Sequence, residues 1–169
     1  RFHALVELRD FNREIKRCIL SPEEISDDAS PELKRIRRAI KNAGEQIHQQ
    51  MTQTMTSSQT MLQENIITLR NGRYCLPVKA EYKSSFSGMI HGQSSSGSTF
   101  FIEPIAVVKL NNQLTELAVK EQEEIQKILA ALSNLAAPDC EDLTRDVLLL
   151  AELDFIFAKA KLSKKMQAS

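Results

Sequence analysis

Four basic side chains, Arg70, Arg73, Lys79 and Lys83, crowd into residues 70–83 against the single acid Glu81, a local charge of +3. Cations at that density suit phosphate oxygens, which position a nucleic-acid backbone without reading its sequence. Between the first two lies Asn71-Gly72, the dipeptide that favours a type I′ two-residue turn. The flanks alternate: Ile67 and Leu69 with Thr68 and Arg70, then Tyr74, Leu76 and Val78 with Arg73, Cys75, Pro77 and Lys79. In the register such a turn sets, Arg70 stands opposite Arg73, Thr68 opposite Cys75 and Leu69 opposite Tyr74. One face is then apolar and the other presents Arg70, Arg73 and Lys79. Like charges directly opposite one another destabilise a sheet, so an anion is expected beside them. The competing reading is a solvated face that keeps a sheet edge soluble, with Pro77 marking the edge.

Other chemistry is weaker. Gly92-Gln93-Ser94-Ser95-Ser96-Gly97-Ser98-Thr99 has the glycine spacing of a phosphate-binding loop, but Ser98 stands where the lysine belongs. A strand, Phe100-Phe101-Ile102, follows where a helix N-terminus is needed. The segment reads as a hairpin loop whose hydroxyls and amides lie near the basic cluster. His3, His48 and His91 are far apart, and none has a carboxylate or thiol at ligand spacing. Cys75 and His91 can face each other across strands, yet two ligands do not make a zinc site. Neither a Ser/His/Asp constellation nor a G-x-S-x-G elbow is present. No catalytic residue, metal or cofactor is expected in this chain. The run Lys34, Arg35, Arg37, Arg38 and Lys41 reads mainly as intramolecular pairing and a solvated helix face. Asn111-Asn112 interrupts an apolar rhythm where strands return to a helix, with amides placed to bind backbone groups at that junction or to face a ligand.

The elements that must carry these groups are mostly helices. Ala4, Leu8, Phe11, Ile15 and Cys18 step by three and four, one face of a first helix that stops near Ser21-Pro22. Residues 21–32 form an acidic connector with room for one short turn. Ser30 is placed to cap the next helix, with Pro31 at its first position and Glu32 favourable at the positive end of its dipole. Leu33, Ile36, Ile40, Ala43 and Ile47 keep the rhythm, and Met51, Met55 and Leu62 extend it through a Thr/Gln/Ser-rich stretch, predicting a helix over 31–62. A second long helix follows the strands, from Leu110 through Leu114, Leu117, Ile125, Ile128 and Leu132 to Leu135, ending before Pro138. Strand-like runs at 88–91 and 98–102 join the hairpin in a small antiparallel sheet. Val147 to Leu162 is apolar on nearly every side, the pattern of a buried core helix.

Composition excludes several classes. With 169 residues, 42% hydrophobic and 26% charged, the chain is ordinary globular material rather than intrinsically disordered, and too short for an ATPase plus a recognition domain. Basic and acidic residues balance at 22 each, so any nucleic-acid site must be local. Three widely spaced cysteines argue against a disulfide framework and for a cytoplasmic location. No apolar run approaches the roughly 20 residues of a membrane span. The absence of an initial Met suggests a piece of a longer protein.

Arg70-Asn71-Gly72-Arg73-Tyr74 through Leu76-Pro77-Val78-Lys79-Ala80-Glu81-Tyr82, Gln93 to Thr99, Ile102-Glu103-Pro104 and Leu110-Asn111-Asn112 together closely resemble the second bacterial branch of the MutS superfamily. This is the paralogue that lacks the mismatch-reading N-terminal domain. Asp28 to Leu33 and Leu150 to Ala160 carry the similarity to both ends. The resemblance implies a mainly α fold, with long antiparallel lever helices and a small antiparallel β clamp inserted at their tip. Residues 1–62 would be core and first lever helix, 63–103 the clamp, 104–137 the second lever helix and 138–169 a core helix. It implies a nucleic-acid-binding lever and clamp, gripping branched or duplex DNA by its backbone through Arg70, Arg73, Lys79 and Lys83. That carry-over of the four residues rests on their position and charge. The parent protein would be a homodimer with an ATPase domain using ATP and Mg, often a small nuclease domain, and a role in suppressing homologous recombination. The alternatives are an arm that binds the ribosome or its RNA in quality control of collided ribosomes, and an arm for protein interaction or dimerisation.

Overall fold

The computed structural model describes residues 5–166; Ala4, expected on the first helical face, and His3 lie outside them. The chain is mostly helical with small antiparallel sheets, and it divides into two compact units, Ser30–Ile125 and the pair Arg1–Ala29 with Gln126–Ser169.

In the first of these units, helix α2 (Pro31–Ser57) starts as its sequence dictates. Ser30 is extended, and its Oγ accepts the Leu33 N–H at 2.9 Å while donating to Glu124 Oε1 at 2.7 Å. The helix ends at Ser57, short of the expected 62, with a 3₁₀ turn at Gln59–Met61. Thr52, Thr54 and Thr56 bond back to carbonyls four residues earlier, and Ser57 to one three earlier, a local competition that weakens a helix end. Its partner α3 (Ile105–Ala136) begins where the strands end. Ser30 reaches Glu124, Arg37 Nε donates to Glu121 at 2.7 Å, and Ile47 and Met51 share a core with Val107. The two helices therefore run antiparallel. Arg35 pairs with Glu32 and Arg37 with Glu121, so the basic run is paired within the molecule at these two positions.

Between the helices lie β3 (Thr68–Arg70), β4 (Arg73–Lys79), β5 (Gly88–Gln93) and β6 (Thr99–Pro104), in the spatial order β3-β4-β6-β5, all antiparallel. The hairpin has the expected register, Arg70 opposite Arg73, Leu69 opposite Tyr74 and Thr68 opposite Cys75. Asn71 and Gly72 take φ of 51° and 74°, the two positive values a type I′ turn requires. One sheet face meets the helices: Leu76, Val78 and Ile102 pack with Ile47, Met51, Leu62, Phe86 and Val107, all buried. Full burial of such side chains stabilises by about 1.5–3 kcal/mol each.

The other unit holds α1 (Arg9–Cys18), a hairpin of β1 (Ile19–Ser21) and β2 (Glu24–Ile25), a 3₁₀ turn at Asp27–Ala29, the end of α3, and α4 (Cys140–Met166). A short strand pair thus spans the junction between the first helix and the connector expected at 21–32. The fully buried core helix expected at 147–162 is not found. Leu153 is its one buried residue among those described, while Val147, Leu148, Phe155 and Phe157 are 65%, 67%, 59% and 54% exposed. Too few elements are present in this unit to cover more than one stripe of α4, which Asp142, Leu143, Asp146, Leu149 and Leu153 trace. Among the described residues, no helix is long and apolar enough to cross a membrane.

Candidate nucleic-acid interface

The strand pattern that defines the sheet also sorts the four basic residues, and it does so unevenly. Arg73 and Cys75 share the face turned away from the apolar core. Continuing the β4–β6 register one step past Leu76 and Ile102 sets Cys75 opposite Glu103, the one charged residue of β6. Glu103 is fully buried, and its carboxylate accepts from Arg73 Nη2 at 2.7 Å and Nε at 3.1 Å, and from Asn111 Nδ2 at 2.7 Å. His91 Nε2 lies 2.6 Å from its other oxygen. Burial pushes this carboxyl upward, but the hydrogen bonds from Arg73, Asn111 and His91, together with the Arg73 charge, outweigh it and hold the group below the usual carboxylate range. The anion expected beside the facing arginines is therefore part of the protein. Arg73 is a fork gripping Glu103, its side chain 16% exposed, rather than a cation presented to solvent.

Asn111 does what the spacing of Asn111-Asn112 suggested, and the reason lies in β6. The β4–β6 ladder ends at Leu76 and Ile102, and continuing its register would set Tyr74 opposite Pro104, which has no N–H to donate. Asn111 stands in for the missing strand, accepting from Tyr74 N at 3.4 Å and donating to Tyr74 O at 3.5 Å. Beneath this layer Cys75 is fully buried, and burial, then the nearby Glu103 carboxylate, pushes its thiol up to about 11.

Of the other three cations, Arg70 and Lys83 are exposed and Lys79 is half-buried. Arg70 is exposed, with its guanidinium carbon 4.0 Å from the centroid of the Phe101 ring, and Lys83 Nζ lies 4.4 Å above the Phe100 ring. Lys79 donates to the Thr60 carbonyl at 3.0 Å. None of these three has a carboxylate partner among the described residues. Because Phe100 and Phe101 are consecutive on β6 they point to opposite faces, so Arg70 and Lys83 lie on opposite faces of the sheet. The charges are legible in the sequence, but the acid and both rings that sort them come from β6, distant along the chain. A lone glutamate in the apolar run of β6, opposite the basic hairpin, was the legible signal.

The Gly92–Thr99 segment joins β5 to β6. Ser94 N donates to Thr99 O and Gly97 N to Ser94 O, both at 2.9 Å, and the Ser94, Ser96 and Ser98 hydroxyls bond to one another. Strand-to-strand geometry of this kind lacks the helix N-terminus that a nucleotide loop uses. Among the described residues, no group of three or more His, Cys, Asp or Glu could hold a metal ion.

No family model matches the chain. Its sequence is 61% identical to a protein of Lachnoclostridium phytofermentans named endonuclease MutS2, an alignment covering 100% of this chain and 22% of that protein. Endonuclease MutS2 of Caldanaerobacter subterraneus subsp. tengcongensis is 49% identical, over 98% of this chain and 21% of the relative. That of a Geobacillus species is 44% identical over the same shares. The chain thus spans about a fifth of the length of the curated relatives it matches. Along its entire length it is homologous to one segment of these proteins, and is a segment of a MutS-like paralogue.

Proposed function

We propose that the chain is the lever and clamp portion of a MutS-like ATPase. In this reading the antiparallel α2 and α3 carry motion to the four-stranded sheet, which grips nucleic-acid backbone without reading sequence. The observation that supports it best is the pair Arg70 and Lys83, each held over an aromatic ring with no carboxylate to neutralise it. Lys79, bonded to a carbonyl, is a third cation without a carboxylate partner among the described residues. Arg73 serves the grip indirectly, by holding the hairpin onto Glu103. The parent protein would bind ATP and Mg and carry its nuclease activity in portions beyond this chain, act as a cytoplasmic homodimer, and suppress homologous recombination by engaging branched DNA. A second reading, a protein-interaction or dimerisation arm, is favoured by the exposed Val147, Leu148, Phe155 and Phe157 on α4.

Fluorescence anisotropy against a four-way DNA junction, a duplex and a structured RNA, across a salt series, separates these readings. Each phosphate contact to duplex DNA steepens the salt slope by about 0.9. Replacing Arg70 and Lys83 by alanine should weaken binding and flatten that slope by roughly 2. A preference for the RNA over the junction would redirect the proposal to the ribosome. No binding to any of the three at low salt would leave the arm as a protein-contact surface.

A further inference from the structure

Phe101 occupies an unusual place in the sheet. Its two cross-strand neighbours are Pro77 on β4 and Gly92 on β5, one a short rigid ring without a charged or polar group and the other without a side chain. Even a Cβ built on Gly92 would come no closer to the ring than 3.8 Å. Gly92 leaves the ring uncovered on its side, and Arg70, which reaches it from beyond β4, lies over the ring. Two features bring Arg70 there. The hairpin tip is tied across to β5, Asn71 Nδ2 donating to His91 O at 3.4 Å, and Arg73, opposite Arg70, is neutralised by Glu103. Without Glu103, two facing guanidiniums would repel and push Arg70 off the ring.

A guanidinium resting its face on an aromatic ring uses its π surface for that contact and keeps its N–H edges for an acceptor. Resting on the ring also restricts a side chain that otherwise has about 2 kcal/mol of rotamer entropy to lose on binding. We infer that Phe101 is a positioning residue for nucleic-acid binding: it holds the Arg70 fork flat and oriented, so that its edge takes a phosphodiester bidentately. Phe101 itself touches no phosphate. This deepens the proposed grip and rests on it.

The test is a double-mutant cycle in this chain, read as junction-DNA affinity by anisotropy at low salt. Phe101→Leu keeps a large apolar side chain at the site while removing the π face. It should weaken binding about two- to fivefold when Arg70 is present. It should have no effect in an Arg70→Ala background, retain its effect in a Lys83→Ala background, and be rescued by Phe101→Tyr. Arg70→Lys, which preserves charge but not the fork, should lose affinity without flattening the salt slope. An equal effect of Phe101→Leu with and without Arg70, or none at all, would overturn the inference while leaving the grip intact. A wild-type chain that fails to bind DNA would overturn both.

Discussion

Glu103 has more bonded partners than any other side chain in the sheet, and its chemistry makes it the most sensitive single position. Replacing it by glutamine would leave Arg73 without its counter-charge in a largely buried place, a change of the kind that costs about 3–5 kcal/mol. Urea denaturation should show that loss, and the pair Glu103→Leu/Arg73→Leu should be less damaging than either single change. The pH dependence follows from the lowered carboxyl. In the unfolded chain a glutamate takes up its proton near pH 4.3, in the folded protein only at lower pH. The stability it contributes is therefore complete above about pH 4.3 and drains away as pH falls through the folded value. Glu103→Gln should remove that component of the acid limb. Cysteine chemistry should follow burial: at pH 8 a thiol reagent should label exposed Cys140 promptly and reach buried Cys18 and Cys75 only on unfolding.

At the scale of elements, β5 depends on a close approach that its glycine permits. A Cβ at Gly88 would lie 2.2 Å from the Glu103 carbonyl oxygen and 2.7 Å from Ile102 Cγ2, so the strands would have to part. Gly88→Ala should lower the melting temperature by several degrees, corresponding to about 2 kcal/mol or more, whereas Gly92→Ala, with its nearest neighbour at 3.8 Å, should change it little. The long helices are secured differently. Ser30 caps α2 and at the same time bonds Glu124 on α3, so one hydroxyl serves both the helix start and the helix pair.

For the molecule as a whole, the two compact units differ in how completely they bury their apolar residues. The sheet unit has a closed core of eight buried side chains, while α4 leaves a broad apolar surface in water. Val147→Ser and Phe157→Ser should each shift stability by no more than about 0.5 kcal/mol, and Leu153→Ala should cost about 2 kcal/mol, measured by denaturation of this chain. If α4 were enclosed in solution, for instance between two copies of the chain, the serine variants would destabilise it and the effect would depend on protein concentration.

Local features were written in the sequence because they depend on neighbours along the chain. The hairpin register follows from two residues, Asn71 and Gly72, that accept positive φ. The start of α2 follows from Ser30 and Pro31, and the paired long helices from a repeating apolar stripe. The strand pair at 19–25 was not legible, being two short segments within an acidic stretch. Burial of α4 was misread because periodicity reports how apolar a helix is, not whether anything covers it. The fate of the basic cluster was decided only by the tertiary fold. Arg70 and Arg73 are alike in sequence and face each other, yet Glu103, distant along the chain, takes one, and the other lies exposed over the Phe101 ring. Charge is a property of a residue, but whether it is spent inside the protein or offered to a ligand depends on which side chains the topology brings within about 4 Å of it.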